Sequence, residues 1–528
     1  MIKHRLLIFI LIVFAAVLPG RAADSFVSGE AIVRFRSGMS VSEVKSAAAG
    51  IDAVIKSRQK KLGIFLIESD SSSTGELVSY FRARRDVIYA VPNYIAKSFA
   101  YKLPPDYSTL AELETSQWGM SKIEAPYAWN ITTGDGVLVA VLDTGMDIGH
   151  EKLADNIWNN PNKNIELEIE APEDDDSGQD YTIKYDTHGW NFVDWTNKIS
   201  TFGEHGTHVA GIVAASTSSP TSDLIGVNWN AQIMSVEVLD SVKNSGSSWQ
   251  VLSGIIYAAD RGADIINMSL GWPPGVEIIT AMEEACEYAY SKGVLIIAAA
   301  GNDDSQIYSG GIGQPAIYRS VMAVGATTPS DSKASFSSYG DEVEISAPGY
   351  QIRSSTPGDS YASWDGTSMA APFVTGVASL VVSVWESQGL SWTPDQVRQN
   401  LIQSVDVLGG GKNRYTGYGR LNAFTSVTNA KAVQSNTDEE EVLVYPNPFF
   451  PANGQEVQIV QPGSSSVSAR RLKIYTVDGI LVIDKEVINL PARWNGKNSD
   501  GKNCASGLYF FSLERDGTDK TGKITLIR

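Results

Sequence analysis

Six short, unbroken apolar runs in the middle of this 528-residue chain restrict its fold more than any other feature. They are Gly136–Leu142 (GVLVAVL), Ile233–Leu239, Ala263–Leu270 (ADIINMSL), Gly293–Ala300 (GVLIIAAA), Val321–Ala326 and Val343–Ala347. A strand with one wet face alternates apolar and polar residues. These runs do not, so both faces of each are expected to be covered. Two amphipathic stretches, Trp249–Arg261 and Glu277–Lys292, fall between them. Strands alternating with helices specify an α/β domain around a parallel sheet, running from about Trp118 to Asn429.

A chain of this length exceeds one ordinary core, and the flanks read differently from the middle. Lys3, His4 and Arg5 precede an apolar run, Leu6–Leu18, that is too short to span a bilayer comfortably. Small residues follow at Gly20 and Ala22, so residues 1–22 read as an export signal cleaved after Ala22, with an uncleaved anchor as the alternative. Residues 23–100 read as a small α+β unit. Its strands are Glu30–Phe35 and Gly63–Ile67, its helices Val41–Ala49 and Thr74–Arg84, and it closes on Val87–Ala96 (VIYAVPNYIA). The α/β domain takes 101–433, a polar linker 434–441 (QSNTDEEE), and an all-β unit 442–528, with turns at Asp478-Gly479 and Asp500-Gly501.

Charge and cysteine content exclude several functions. Sixty acidic residues against forty-two basic give a net charge of −18, which argues against nucleic acid as a partner. The excess is uneven: 1–23 carries +3, 24–100 carries +3 and the remainder −24, so the first unit and the body are expected to attract. Two cysteines rule out a disulfide scaffold and a four-thiolate zinc site. Cys286 is expected in a helix core, and Cys504 lies in a separate unit.

Three separated segments each deliver one reactive group to the edge of an element. Asp143 ends the strand GVLVAVLD before Thr144-Gly145. His205 opens the helix GTHVAGIVAAS, whose Val209, Ile212 and Val213 form a buried face. Ser368 lies in DGTSMAAPFVTGVASLVVSVW at the start of a long apolar helix, with Pro372 placed in its first turn. In a parallel sheet such groups converge on the carboxyl edge, where ligands bind. There an acid, an imidazole and a hydroxyl can form an orienter–base–nucleophile chain. Asn302, just after the strand VLIIAAAG, is placed to donate to an oxyanion. Taken singly, each motif would be an ordinary turn or helix cap, and HGTH alone a pair of metal-binding histidines.

The phrases VLDTGMD, HGTHVAG, AAAGN and GTSMAAP together resemble the signatures of subtilisin-like serine proteases, in that family's order Asp, His, Ser. The resemblance spans about Trp118–Val427 and includes QWGMSKIEAPYAW. It implies Asp143 as orienting acid, His205 as general base, Ser368 as nucleophile and Asn302 as oxyanion donor, with His208 a packed neighbour. It further implies a polypeptide substrate that pairs along Ser269-Leu270-Gly271 and a first specificity pocket lined by Gly301 and Gly313 (GIGQPAIY), roomy enough for a large apolar or aromatic side chain. The 24–100 unit resembles the family's inhibitory propeptide, with AVPNYIA as its closing segment and self-cleavage after roughly Ala96–Leu103. The rival reading is a surface adhesion or scaffold protein that keeps the fold and no longer cuts.

No cofactor is implied for the chemistry, though structural calcium is common in the family. The family often has an acidic ligand shortly after the orienting acid; here HEKL places Lys152 there, and a lysine cannot ligate calcium. The loop STSSPTSDLIG also departs from the common pattern. The stretch EDDDSGQDY resembles an acidic insert of secreted relatives and offers Asp174, Asp176 and Asp180. VYPNPFFP, LKIYTVDGILV, WNGKNSDGKNCASGLYFF and GKITLIR resemble the immunoglobulin-like β-sandwich sorting modules of type IX secretion cargo. The expectation is a bacterial enzyme, secreted or held at the cell surface, with the type IX machinery as partner.

Overall fold

The structure is a computed structural model. It describes residues 26–36, 39–98, 101–102, 117–168, 182–217, 224–303, 311–432, 443–445, 451, 456–460, 470–477, 479–487, 492–515 and 518–526. The expected leader, the linker and the acidic stretch Glu173–Tyr181 lie outside the described residues.

The first unit comprises β1 (Phe26–Phe35), α1 (Val41–Ala49), β2 (Val54–Gln59), β3 (Ile64–Glu68), α2 (Thr74–Arg82) and β4 (Val87–Ser98). Its strands pair antiparallel in the order β4-β1-β3-β2. Both helices open on a Ser-x-x-Glu box, Ser40 with Glu43 and Ser73 with Glu76, which satisfies two otherwise orphaned N–H groups at each end. Val44 and Ala48 of α1 and Leu77 and Phe81 of α2 then pack on Val33, Phe35, Phe65 and Ile67. The strand β2 (VIKSRQ) was not foreseen, because its sequence carries too few apolar residues to stand out. A short strand, β5 (Tyr101–Lys102), follows the unit.

The α/β domain begins with α3 (Trp118–Lys122) and α4 (Ala125–Ala128), which lead into β6 (Leu138–Asp143). A two-stranded ribbon, β7 (Leu167–Glu168) with β8 (Thr182–Ile183), precedes β9 (Gly189–Asn191) and α5 (Glu204–Ala214). Next come β10 (Gln232–Glu237), β11 (Ser245–Ser247), α6 (Ser248–Asp260), β12 (Ile265–Met268) and β13 (Leu270–Gly271). Then follow α7 (Thr280–Ser291), β14 (Leu295–Ala299), β15 (Val321–Thr327), β16 (Val343–Pro348) and the hairpin β17 (Ile352–Thr356) and β18 (Ser360–Asp365). The helices α8 (Thr367–Ser387), α9 (Pro394–Gln403) and α10 (Ala423–Ala432) complete it.

Seven strands form one parallel sheet in the order β16-β15-β14-β12-β6-β10-β9, and every expected run contributes a strand to it. Along β6, Val139 and Val141 face a core shared with α5 and α8, whereas Ala140 and Leu142 face one shared with α6 and α7. Two cores on opposite faces are why the runs lack alternation. The helix α8 is long and apolar enough to cross a membrane, with mean hydropathy 1.6, yet its apolar window is wholly buried in the domain core. Cys286 is fully buried in α7, as its position in the sequence implied, and neither cysteine is in a disulfide.

The C-terminal region is all-β. The strands β19 (Leu443–Tyr445), β20 (Val457–Val460) and β23 (Ala492–Trp494) form one sheet. A second sheet contains β21 (Arg470–Thr476), β22 (Leu481–Val487), β24 (Gly507–Arg515) and β25 (Thr518–Leu526). Ile459 and Trp494 of the first share an apolar cluster with Leu472, Ile474, Phe511 and Leu513 of the second.

Candidate active site

Asp143 is the last residue of β6 and is fully buried. Its carboxylate accepts from His205 Nδ1, at 2.7 Å to Oδ1 and 2.9 Å to Oδ2, and from the backbone N–H of Thr144 at 2.8 Å. A carboxylate only accepts, so the imidazole proton is held on Nδ1 and Nε2 is left as the basic nitrogen. The start of α5 is docked on the loop after β6: the N–H of Gly206 donates to Thr144 Oγ1 at 3.0 Å. Among the described residues, His205 Nε2 is buried without a hydrogen-bond partner.

Beneath His205 lies an aromatic stack that the sequence did not announce. The Trp364 ring is parallel to His208, with centroids 4.3 Å apart, and lies 6.2 Å from His205. His208 bonds through Nε2 to the carbonyl of Ala362 at 3.0 Å, and burial pushes its pKa down to about 3. It stays neutral and serves as packing, as the resemblance implied.

Ser368 is the second residue of α8 and is fully buried. Its hydroxyl donates to the carbonyl of Ser269 at 2.8 Å, and the Ser269 hydroxyl donates to the carbonyl of Ser368 at 2.9 Å. Pro372 does not lie in the first turn of α8. Because α8 begins at Thr367, Pro372 is its sixth residue, inside the helix, where its missing N–H leaves the Ser368 carbonyl without the usual helical donor. Asn302 Oδ1 accepts from both the N–H and the hydroxyl of Thr367, each at 2.9 Å. That fixes the amide so that its NH₂ end is the donating one.

A composite sheet fills the cleft beside these groups. The strand β4 pairs antiparallel with β11 (Ile95 to Lys97 against Ser247 to Ser245) and with β13 (Lys97 and Ser98 against Gly271 and Leu270). Of the expected Ser269-Leu270-Gly271 stretch, Leu270 and Gly271 pair with the extended chain, and Ser269 precedes the pairing. The opposite wall, β11, went unrecognised because Ser-Gly-Ser has no strand signature. On the far side, Tyr101 and Lys102 pair with Asp365 and Trp364 of β18. Gly301 adopts φ +107°, and its N–H donates to Thr367 Oγ1 at 3.1 Å. At Gly313 a Cβ would lie 2.2 Å from the carbonyl oxygen of Trp272, so close backbone approach alone requires glycine there.

Calcium does not fit at Lys152. That side chain is 1% exposed, and its ammonium donates to the carbonyl of Ser216 at 3.4 Å, so a cation already occupies the space. No group of three or more His, Cys, Asp or Glu side chains converges among the described residues. Asp174, Asp176 and Asp180 lie outside them.

Residues 134–419 match the Subtilase family. The chain belongs to the subtilase family. Residues 15–93 match the Fervidolysin N-terminal prodomain, so this subtilase carries a prodomain. It is 34% identical over 412 residues to the thermophilic serine proteinase of Bacillus sp. (strain AK1), covering 76% of this chain and 88% of that protein. It is 37% identical over 311 residues to thermitase of Thermoactinomyces vulgaris, covering 59% of this chain and 95% of thermitase. With subtilisin E of Bacillus subtilis (strain 168) the identity is 33% over 405 residues, covering 76% and 91%. These relationships make it a subtilisin-like serine endopeptidase, and its parallel seven-stranded sheet is the fold expected of one.

Proposed function

We propose that this subtilase is a secreted endopeptidase that matures by cutting its own chain. One observation carries the reading: the polypeptide enters the cleft as β4, paired on β11 and β13, and leaves it as β5, paired on β18. Both flanks of one short stretch are held by main-chain pairing, as an extended substrate would be. Residues 23–100 are then an intramolecular inhibitor, and the cut falls at one of the three bonds between Ser98 and Tyr101.

The geometry supports the following roles. For attack, the Ser368 hydroxyl turns from the Ser269 carbonyl to His205 Nε2, which takes the proton as Oγ bonds to the scissile carbonyl carbon. Asp143 stabilises the imidazolium formed. Asn302 and the N–H groups at the start of α8 donate to the oxyanion, and the helix dipole favours negative charge there. The imidazolium returns the proton to the departing amine as the C–N bond breaks. Water activated by the same imidazole then hydrolyses the acyl ester. The family resemblance favours a large apolar or aromatic residue before the cut, although Gly313 is glycine for backbone packing rather than for pocket room, and the acidic body favours basic residues nearby; acidic residues dominating before the cut in a digested proteome would refute this.

Residues 1–22 supply the export signal, and the C-terminal sheets, read as an immunoglobulin-like sandwich, supply the type IX sorting module. Deleting 442–528 is then expected to stop passage across the outer membrane. The central test combines fluorophosphonate labelling with terminal sequencing. Wild-type protein should label and yield a new N-terminus between Ser98 and Tyr101. Ser368→Ala should do neither, and processing that persists in that variant at low concentration overturns self-cleavage.

A further inference from the structure

Behind the nucleophile runs a closed chain of hydrogen bonds among four fully buried residues. The Thr375 hydroxyl donates to Asn267 Oδ1 at 2.8 Å, and Asn267 Nδ2 donates to Ser269 Oγ at 3.0 Å. Ser269 Oγ donates to the Ser368 carbonyl at 2.9 Å, and Ser368 Oγ donates back to the Ser269 carbonyl at 2.8 Å. Thr375 follows Ser368 by seven residues, two turns along the same face of α8, while Asn267 lies on β12 and Ser269 just beyond it.

The four bonds share one consistent direction of donation. Pro372 stands four residues after Ser368 and has no N–H, so the Ser368 carbonyl lacks its usual helical donor. Ser269 supplies one, which makes that hydroxyl an acceptor toward Asn267 and requires the Asn267 amide to present its NH₂ group. The amide oxygen then faces Thr375, whose hydroxyl must donate. Turning the Asn267 amide over would draw the Ser269 proton to Asn267 and away from the Ser368 carbonyl.

We infer that Thr375 and Asn267 are positioning residues for the nucleophile, acting through Ser269 to hold the Ser368 backbone where the helix cannot. The Thr375 hydroxyl sets the amide, the amide sets the Ser269 proton, and that proton fixes the carbonyl of the attacking residue. This rests on Ser368 being the nucleophile.

The test is the second-order rate constant for fluorophosphonate labelling of the processed enzyme, measured across pH. Thr375→Val keeps the shape and removes the donor; Asn267→Asp keeps the acceptor and removes the NH₂ group. Each is expected to label about tenfold more slowly, the scale that small misplacement of a reacting group produces. For Thr375→Val, which adds no charge, the pH midpoint should be unchanged, because Asp143 and His205 are outside the chain. Peptide hydrolysis should lose kcat with KM unmoved, and Thr375→Ser should restore the rate. Incomplete folding lowers the labelled amount but not the rate constant, and if Thr375→Val does not fold, Asn267→Asp decides. A wild-type rate in the folded variants, or no rescue by serine, overturns the positioning role. Labelling that survives Ser368→Ala would instead overturn the nucleophile assignment.

Discussion

Asn302 accepts from Thr367 through its oxygen, which turns its NH₂ group outward as the donor that the proposed mechanism directs at charge formed only during reaction. An interaction made in the transition state and not with bound substrate lowers the barrier without tightening binding. Asn302→Ala is therefore expected to lower kcat about 100- to 1000-fold with little change in KM, read from initial rates on a peptide substrate. Glu237 makes a different prediction. It ends β10 in register with Asp143, is 2% exposed and accepts from the N–H of Ser200 at 2.8 Å. Burial raises its pKa to about 7, and Asp194 and Asp240 add repulsion. Unfolded, the carboxyl titrates near 4.5. Between these values the folded protein keeps a proton that the unfolded chain has released, so stability falls as pH rises from about 4.5 to 7. Relative to wild type, Glu237→Gln should gain stability across that window, on the order of 3 kcal/mol by its upper end. Denaturant melts in a Ser368→Ala background, which prevents autolysis, would show it; a constant difference across the window would count against it. Asp143, His205, Ser368 and Asn302 could be proposed from the sequence because each sits in a phrase whose neighbours set its backbone. Glu237, Trp364 and Thr375 were not, since their significance comes from what other strands bring beside them.

At the scale of elements, the long strands and helices could be read and the shortest pieces could not. The helix α1 has the bounds its periodicity suggested, whereas β4 runs two residues past its expected end at Ala96. The extra residues have no pattern of their own; they are extended because β13 pairs with them. The same strand carries Asn93, whose Oδ1 accepts from the Ser248 hydroxyl and from the N–H of Trp249, both at 3.0 Å. Those donors lie in the first turn of α6, so the prodomain supplies the catalytic domain with an additional helix cap. Asn93 is itself steadied through Nδ2 by Glu30, which Lys56 pairs. Replacing Asn93 by alanine leaves one buried N–H on α6 without its acceptor. The processed prodomain should then leave the enzyme about tenfold faster, which corresponds to roughly 1.4 kcal/mol. Native mass spectrometry of the processed complex over time would measure the release, and an unchanged rate would show that α6 needs no cap from outside.

For the whole molecule, the charge imbalance in the sequence has a spatial counterpart. Three basic residues of the prodomain pair with acids on or beside the helices α6 and α7: Arg34 with Glu284, Lys61 with Asp260, and Arg82 with Glu277 at 2.7 Å. Tyr89 adds a hydrogen bond to Glu284 at 2.7 Å. These pairs differ in worth. Both side chains of Arg82–Glu277 are about half exposed, at 45% and 50%, so water and salt screen that pair strongly. Asp260 is 4% exposed and also holds Lys292, so its pairing is screened less. Taking about 0.5 kcal/mol for each of the three gives roughly 1–2 kcal/mol of attraction that salt can remove. The apolar and main-chain contacts of β4 do not respond to ionic strength in this way. Raising sodium chloride from 0.05 to 1 M should therefore weaken retention of the processed prodomain about five- to thirtyfold without abolishing it. Arg82→Ala should barely change that salt response, whereas Lys61→Ala should reduce it. Sedimentation of the processed complex across salt concentrations separates the cases: a salt-independent equilibrium would mean that main-chain pairing alone holds the prodomain, and complete dissociation at 1 M that the strand contributes little.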